Sequence, residues 1–482
     1  MSMIKKITAT LFALLILGGA WAWIWAPLEN YKEDGLLYIK NGLRLALNYK
    51  EYRGGPAMVN QTFIVDDDFI VFTDKLVYEN GSPASLYFKS YSPVEVTLEK
   101  FFNDTHETVW LKKIEIENYT RDVVATTFEG FDRRDFDAYH FQLKNSDTGW
   151  FQLKVKNSSD IRYVPFFVEG NKVSDILFVE STDTLQAYVA ANGLRTYYKQ
   201  GKRHLAQDFT RPEAYPMDYQ LKNFKQSSSL TEKDCKDHLA NADLSIKSGL
   251  DAKKITYDNS SDEYLDNYKN ISRYKLIIFG AHNEYWSPEK IKNIEKFLLN
   301  GGNVLVLGGN IAYRFARKVH AMKVFWGQGL LKTRYENFIY DHFGAYYDSN
   351  GYDTYSSFKF INSSSPLMKK QNASIEFGKK STIVLCEKFE HGASGHETDK
   401  FMGARSGFSV IASGNNSGSG GADIVFKKLN AGGHVLNFSS VSLWHGMDDP
   451  VIQEMIRNFI ELTKNSKQEK SIQHLVHSEA PV

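Results

Sequence analysis

His282 and Glu284 stand two residues apart in the stretch FGAHNEYWSPEK, residues 279–290, and pair a proton carrier with a hard oxygen donor. The residues before them, Lys275 to Phe279, read as a short buried strand; Ser287-Pro288-Glu289 reads as the start of a helix. The polar cluster therefore belongs at the carboxyl end of a strand, where open α/β sheets hold their ligands. An earlier stretch, STDTLQAYVAANGLRTYY, also leaves the carboxyl end of an apolar strand, Ile176 to Val179, and carries Tyr188. In a parallel sheet both loops emerge on one edge, so Tyr188 and Glu284 could converge. A phenolate and a carboxylate together suit a hard Lewis-acidic cation, Fe(III) above all, which acidifies bound water and polarises a carbonyl. Plainer roles are open to each residue. His282 could bond a loop backbone, Glu284 could pair with Arg195 or Arg211, and Tyr285 and Trp286 could be walls.

The elements that must position these residues fall into two grammars. From about Asn60 to Val168, short alternating runs such as Ser85 to Phe88, Val94 to Leu98 and Trp150 to Val155 predict an all-β sandwich of immunoglobulin type. After Glu169-Gly170-Asn171 the pattern changes. A continuous apolar strand at Ile176–Val179, a short strand at Lys254–Tyr257 and buried strands at Lys275–Phe279 and Asn303–Leu307 alternate with helix candidates at 230–247 and 288–299. That alternation predicts an α/β domain with a mostly parallel sheet and helices on both faces. A hairpin over 422–438 and a closing helix over 450–462 follow. The expected boundaries are 1–26, 27–171, 172–464 and a polar tail, 465–482.

The N-terminus reads as a membrane segment. Lys5 and Lys6 precede an uncharged run from Ile7 to Ala26, long enough for a transmembrane helix, and acidic residues follow. The charge bias places the bulk of the chain outside the cytoplasm, periplasmic or extracellular, on a single-pass anchor in the cell membrane. Ala20-Trp21-Ala22 offers a cleaved signal peptide as the rival reading. With 58 basic against 57 acidic residues in 482, no nucleic-acid footprint shows. Cys235 and Cys386 match no zinc spacing; a disulfide between them and homo-oligomerisation are both left open.

Gly308-Gly309-Asn310 after a buried strand invites comparison with amidotransferase-like hydrolases, but this elbow carries no Cys or Ser nucleophile. Taken together, Asp175-Ile-Leu-Phe-Val, Thr184-Leu-Gln-Ala-Tyr188, Arg211-Pro212, His282-Asn-Glu284-Tyr285-Trp286-Ser287 and Gly308-Gly309-Asn310 resemble the C-terminal domain of the N,N-dimethylformamidase large (beta) subunit family. The resemblance implies a mononuclear iron held by two tyrosines and a glutamate, here Tyr188 and Glu284, with His282 and Asn310 as the catalytic, substrate-side pair. Arg211, Tyr285 and Trp286 would then contact the substrate. The family's other tyrosine would fall near Thr148-Gly149-Trp150-Phe151, where this chain has Phe151; Tyr197 and Tyr198 are the nearest alternatives. The function so implied is metal-assisted hydrolysis of an amide C–N bond in a small or cell-surface substrate. Two other classes stay open: a binding or scaffold module for a glycan or peptide, and a metal-free glycan-active enzyme using Asp183 and Glu284.

Overall fold

The computed structural model describes residues 63–464, apart from 66–68, 104, 116–123, 128–129, 132–135, 145–147, 171, 189–197, 200–201, 204–209, 212–218, 320–321, 362–364 and 369–374. These residues belong to one compact unit, 62–482. Its first part is a two-sheet sandwich. Strands β1 (Ile70–Thr73), β2 (Val77–Tyr78), β3 (Pro83–Lys89), β4 (Val94–Phe101), β5 (His106–Ile114), β6 (Asp137–Gln142), β7 (Gly149–Lys156) and β8 (Ile161–Val168) divide into sheets of order β1-β3-β6 and β2-β8-β7-β4-β5. Alternate residues meet between the sheets, as period two requires: Val71, Leu86 and Phe88 from one, Val96, Leu98, Phe151, Leu153 and Phe166 from the other.

The second part is built on a nine-stranded sheet. In chain order its elements are β9 (Ile176–Glu180), α1 (Thr182–Tyr188), α2 (Ala240–Ala252), β10 (Asp258–Ser261), β11 (Leu276–Phe279), α3 (Pro288–Leu299) and β12 (Asn303–Val306). After these come β13 (Ala345–Asp348), β14 (Phe358–Phe360), β15 (Glu376–Phe377), β16 (Thr398–Phe401), β17 (Ser409–Gly414), β18 (Asp423–Lys428), β19 (His434–Asn437) and α4 (Pro450–Lys464). The sheet order is β10-β9-β11-β12-β19-β18-β17-β14-β15, while β13 and β16 pair separately.

The expectation of a mostly parallel sheet is corrected here. Pairs from β10 to β19 are parallel, but those from β19 to β15 are antiparallel, so the sheet is mixed and the chain sheet-rich. Chain length between strands is the cause. Lys428 and His434 are joined by five residues, with Gly432 at φ 93, and so short a link closes only an antiparallel pair. The N-terminal transmembrane helix is not supported either. No helix among the described residues is long and apolar enough to cross a membrane, and the run Ile7 to Ala26 lies outside them.

Strand alternation gives the large sheet a core on each face. Phe178, Ile278, Leu305 and Leu436 pack with Ile246 and Leu250 of α2 and with Ile452, Ile456 and Phe459 of α4. Val179, Ile277, Phe279 and Val304 pack on the other face with Ile291, Ile294 and Leu298 of α3. Each such side chain contributes on the order of 1.5–3 kcal/mol on burial. The α3 start matches its sequence signals, with Ser287 as N-cap accepting from the Lys290 N–H and Pro288 in the first turn.

Two expected elements moved. The single helix over 230–247 is broken, because Asp237 takes the Leu239 N–H and the long helix restarts at Ala240. The expected strand 254–257 gives way to β10, since Lys254 sits at φ 58 just past the end of α2. Cys235 and Cys386 form a buried disulfide, with their Cα atoms 5.6 Å apart.

Candidate active site

Parallel pairing brings the chemistry together. Val179 lies beside Phe279, and Phe279 beside Val306, so the segments after β9, β11 and β12 leave one edge side by side. The first becomes α1 and ends in Tyr188, the second carries His282 and Glu284, and the third turns at Asn310. Asp243 of α2 ties two of them: its Oδ1 accepts the Ala281 N–H at 2.7 Å and its Oδ2 the Ser181 N–H at 3.0 Å. Only glycine fits at 280, because a Cβ there would lie 2.1 Å from Asp243 Oδ1. Thr184 Oγ1 accepts the Glu284 N–H at 3.0 Å and joins α1 to the second loop directly.

Burial, then the neighbouring Glu180 charge, pushes Asp243 up to about 7. A carboxyl raised in the folded state stabilises fully below the ordinary Asp range, about 3.9, and loses that contribution as pH rises through 7. The stability advantage of the native chain over Asp243→Asn is therefore expected to be greatest near pH 4. It should shrink toward pH 7 at no more than about 1.4 kcal/mol per pH unit. Urea midpoints across that range check it; an advantage that does not change with pH contradicts it.

Four of the sequence-predicted residues meet. Tyr188 Oη donates to Glu284 Oε2 at 2.8 Å, and His282 Nε2 lies 3.6 Å from the same oxygen. Asn310 Nδ2 lies 3.3 Å from His282 Nε2, and both nitrogens point at a carboxylate that the sequence reading missed: Glu397 Oε2, at 2.6 Å from Asn310 and 3.3 Å from His282. Arg314 Nε stands 3.4 Å from the other Glu284 oxygen, the role expected for Arg195 or Arg211. His238 packs 5.2 Å from the His282 ring, 5.0 Å from Tyr188 and 4.7 Å from His396.

The charges sort by environment. Burial disfavours a charged His282, but its hydrogen bond to Glu397 and the charges of Glu397, Glu284 and Asp399 outweigh burial and raise its pKa. Burial would likewise raise Glu397, yet the His282 hydrogen bond and charge bring it down to about 2. Burial, against the charges of His282 and Arg314, leaves Glu284 raised. His238 is lowered by burial and then by His282; His396 is lowered to about 3 by burial and then by His238. These surroundings favour the charged form at His282 and the neutral form at His238 and His396. Two polar atoms of this cluster, His282 Nδ1 and Asn310 Oδ1, are buried without a hydrogen-bond partner, a costly state that an incoming polar group would relieve.

Tyr285 and Trp286 are packed rather than open to a ligand. Trp286 is fully buried among Phe279, Phe338 and Phe343, and its ring nitrogen donates to the Asn283 carbonyl. Tyr285 is buried against Ala187 and Tyr188. Both are walls. Arg211 lies on a two-residue strand paired with Met322–Leu330, and its side chain lies outside the described residues. Asp183, 5% exposed, is bound to Lys290 at 3.0 Å rather than facing a cleft with Glu284.

An iron ligand set needs oxygens at about 2 Å from one ion, hence about 2.8 Å apart at adjacent positions. The Tyr188 and Glu284 oxygens, 2.8 Å apart, fit that spacing. Phe151 does not fill the place of a second tyrosine: it stacks on Phe166 inside the sandwich, while Trp150, its neighbour on the opposite face, donates to Glu180. Tyr197 and the Tyr198 side chain lie outside the described residues. Among the described residues no group of three or more His, Cys, Asp or Glu side chains is placed to hold a metal.

A sequence signal for Glu397 exists in hindsight. His391-Gly-Ala-Ser-Gly-His396-Glu397 sets a second His-Glu pair in a glycine-bearing stretch, but nothing in its spacing links it to a loop more than a hundred residues earlier.

No curated protein matches the chain. Similar solved structures include a ThuA-like protein from Bacteroides uniformis, 16% identical over 49% of this chain and 88% of that one, with a TM-score of 0.32. Another is the mmIFT52 N-terminal domain, 16% identical over 46% of this chain and 91% of that one, with a TM-score of 0.30. Both likenesses are too loose to bear on function. The family described as N,N-dimethylformamidase beta subunit-like, C-terminal, matches residues 138–457, which is more than half of the sequence and includes Tyr188, His282, Glu284, Asn310 and Glu397. The chain belongs to the N,N-dimethylformamidase beta subunit-like, C-terminal family.

Proposed function

We propose that this site hydrolyses the C–N bond of an amide, with His282, Glu397 and Asn310 as the groups that handle the substrate. One observation carries the reading: His282 Nε2 and Asn310 Nδ2 share the Glu397 carboxylate, while His282 Nδ1 and Asn310 Oδ1 remain buried and unpartnered. Amide hydrolysis requires water to lose a proton and the departing nitrogen to gain one. The imidazolium held by Glu397 gives its proton to the nitrogen as the bond breaks, and the proton released by water returns it to the charged state. Asn310 has two amide protons and spends one on Glu397, so the second is left to orient the carbonyl oxygen.

Tyr188 and Glu284 are the residues that would hold an iron ion, whose chemistry is Lewis-acid polarisation of a carbonyl and a lowered pKa for water. The nearby histidine and arginine keep Glu284 oriented by charge. The test is amine release from a panel of small N-substituted formamides and acetamides by the purified full chain, with iron content measured on the same sample. Turnover of at least one amide, with Glu284→Ala losing iron and turnover together, is the expected result. An iron-loaded, folded protein that releases no amine from any of them overturns the proposal.

A further inference from the structure

We propose that Asp399 is a positioning residue for Asn310: its Oδ1 accepts the Asn310 backbone N–H at 2.9 Å and fixes the elbow from which the Asn310 side chain reaches Glu397. The inference rests on the reading of Asn310 as a substrate-side group. Asn310 adopts φ 53, a left-handed conformation that Asn tolerates better than most L residues. The backbone before it is pinned. A Cβ at Gly308 would lie 2.1 Å from the Ala281 carbonyl oxygen, and one at Gly309 would lie 2.7 Å from the Val441 nitrogen. Gly309 N–H donates to Ala281, and the Gly308 carbonyl accepts from Ser440. What remains to be fixed is the peptide of Asn310 itself, and Asp399 is the group that holds it.

The placement follows from strand geometry. Asp399 lies on β16 and Glu397 stands just before that strand, two residues earlier, and both reach Asn310. One carboxylate takes the backbone of Asn310 and the other its side chain. The left-handed residue after a buried strand is where amidotransferase-like folds set a nucleophile, with backbone N–H groups nearby free for an oxyanion. The oxyanion donor at such an elbow is the N–H of the following residue, here Ile311, and that N–H also bonds Asp399, so the donor left for a substrate oxygen is the Asn310 side chain. Asp399 is fully buried, its Oδ2 has no hydrogen-bond partner, and burial raises its carboxyl to about 8 against the pull of the Asn310 N–H. Acceptance by Oδ1 is the property the elbow uses.

Three variants of the full chain separate these properties. Asp399→Asn keeps an acceptor oxygen at the same reach; Asp399→Leu removes it at similar volume; Asp399→Ser leaves a hydroxyl too short to reach. Amide hydrogen exchange of peptides covering 308–312 reads positioning without any need for turnover. Loss of a hydrogen bond of this kind corresponds to about tenfold faster exchange there in Asp399→Leu and Asp399→Ser. On an amide that the native protein hydrolyses, kcat should fall by about 30- to 100-fold in both, with KM moving by less than about threefold. Asp399→Asn should restore both readouts to within about threefold of the native protein.

Native exchange at 308–312 in Asp399→Leu or Asp399→Ser, with an unchanged thermal midpoint, overturns the proposal. So does an Asp399→Asn variant as impaired as the other two, because charge would then be the operative property. If Asp399→Leu does not fold, Asp399→Ser against Asp399→Asn gives the same decision. Should the native chain hydrolyse no amide, the proposed function fails while the exchange results still decide the role of Asp399.

Discussion

Lys290→Met is expected to destabilise the protein by about 3–5 kcal/mol, a large part of the margin of an ordinary domain. Lys290 has no exposed surface, and its ammonium is shared by Asp183 at 3.0 Å, Asp262 at 2.9 Å and the Tyr285 carbonyl at 3.2 Å. Burial opposes its charge, but Asp183, Asp262 and Asp266 outweigh burial and raise its pKa. Methionine fills the space and removes the cation, which leaves two buried carboxylates facing each other. The damage would reach the site, because Asp183 begins α1, Asp262 holds Asn283, and Tyr285 follows Glu284. Urea unfolding of the full chain checks the size. A loss below about 1 kcal/mol would show that the network is relaxed or hydrated.

Glu397→Gln is expected to leave the fold intact and cut amide turnover by roughly 10²- to 10⁴-fold. Glutamine keeps an oxygen for Asn310 and the volume of the side chain, so packing around β16 should persist. The charge that holds a proton on His282 would be gone, and burial would then favour the neutral ring. Turnover measured beside the thermal midpoint separates the two effects. Parallel loss of both would make Glu397 a structural residue, and retained turnover would remove it from the mechanism.

The parts of this protein that were legible in the sequence are those fixed by local physics. Ser287 and Pro288 mark the start of α3 because a cap and a preset φ act within a single turn. Buried strands β11 and β12 announce themselves as apolar runs, and the loops after them carry His282, Glu284 and Asn310 as expected. Tyr188 joins them because β9 lies beside β11 in a parallel pair. The hairpin of β18 and β19 was legible from its short link, but its place in the same sheet as the parallel strands, and the antiparallel strands beyond it, were not, because apolar runs look alike whether the neighbour runs with or against them. Trp286 looked available in the sequence, yet its large apolar area goes to the face packed by α3 and its ring N–H finds the Asn283 carbonyl. Glu397 and Asp399 escaped notice for another reason. Their partners are brought to them by the pairing of β16 with β13 and by contacts with the β12 elbow, and such long-range contacts leave no period or cap in the chain.

The most direct measurement of the central claim is product stoichiometry from an N-substituted amide incubated with the full chain and with His282→Ala. Hydrolysis at this site predicts amine and carboxylate released in equal amounts by the native protein. It predicts turnover lower by about 10²-fold or more in His282→Ala, at an unchanged thermal midpoint. Equal turnover by the two folded proteins would contradict the account.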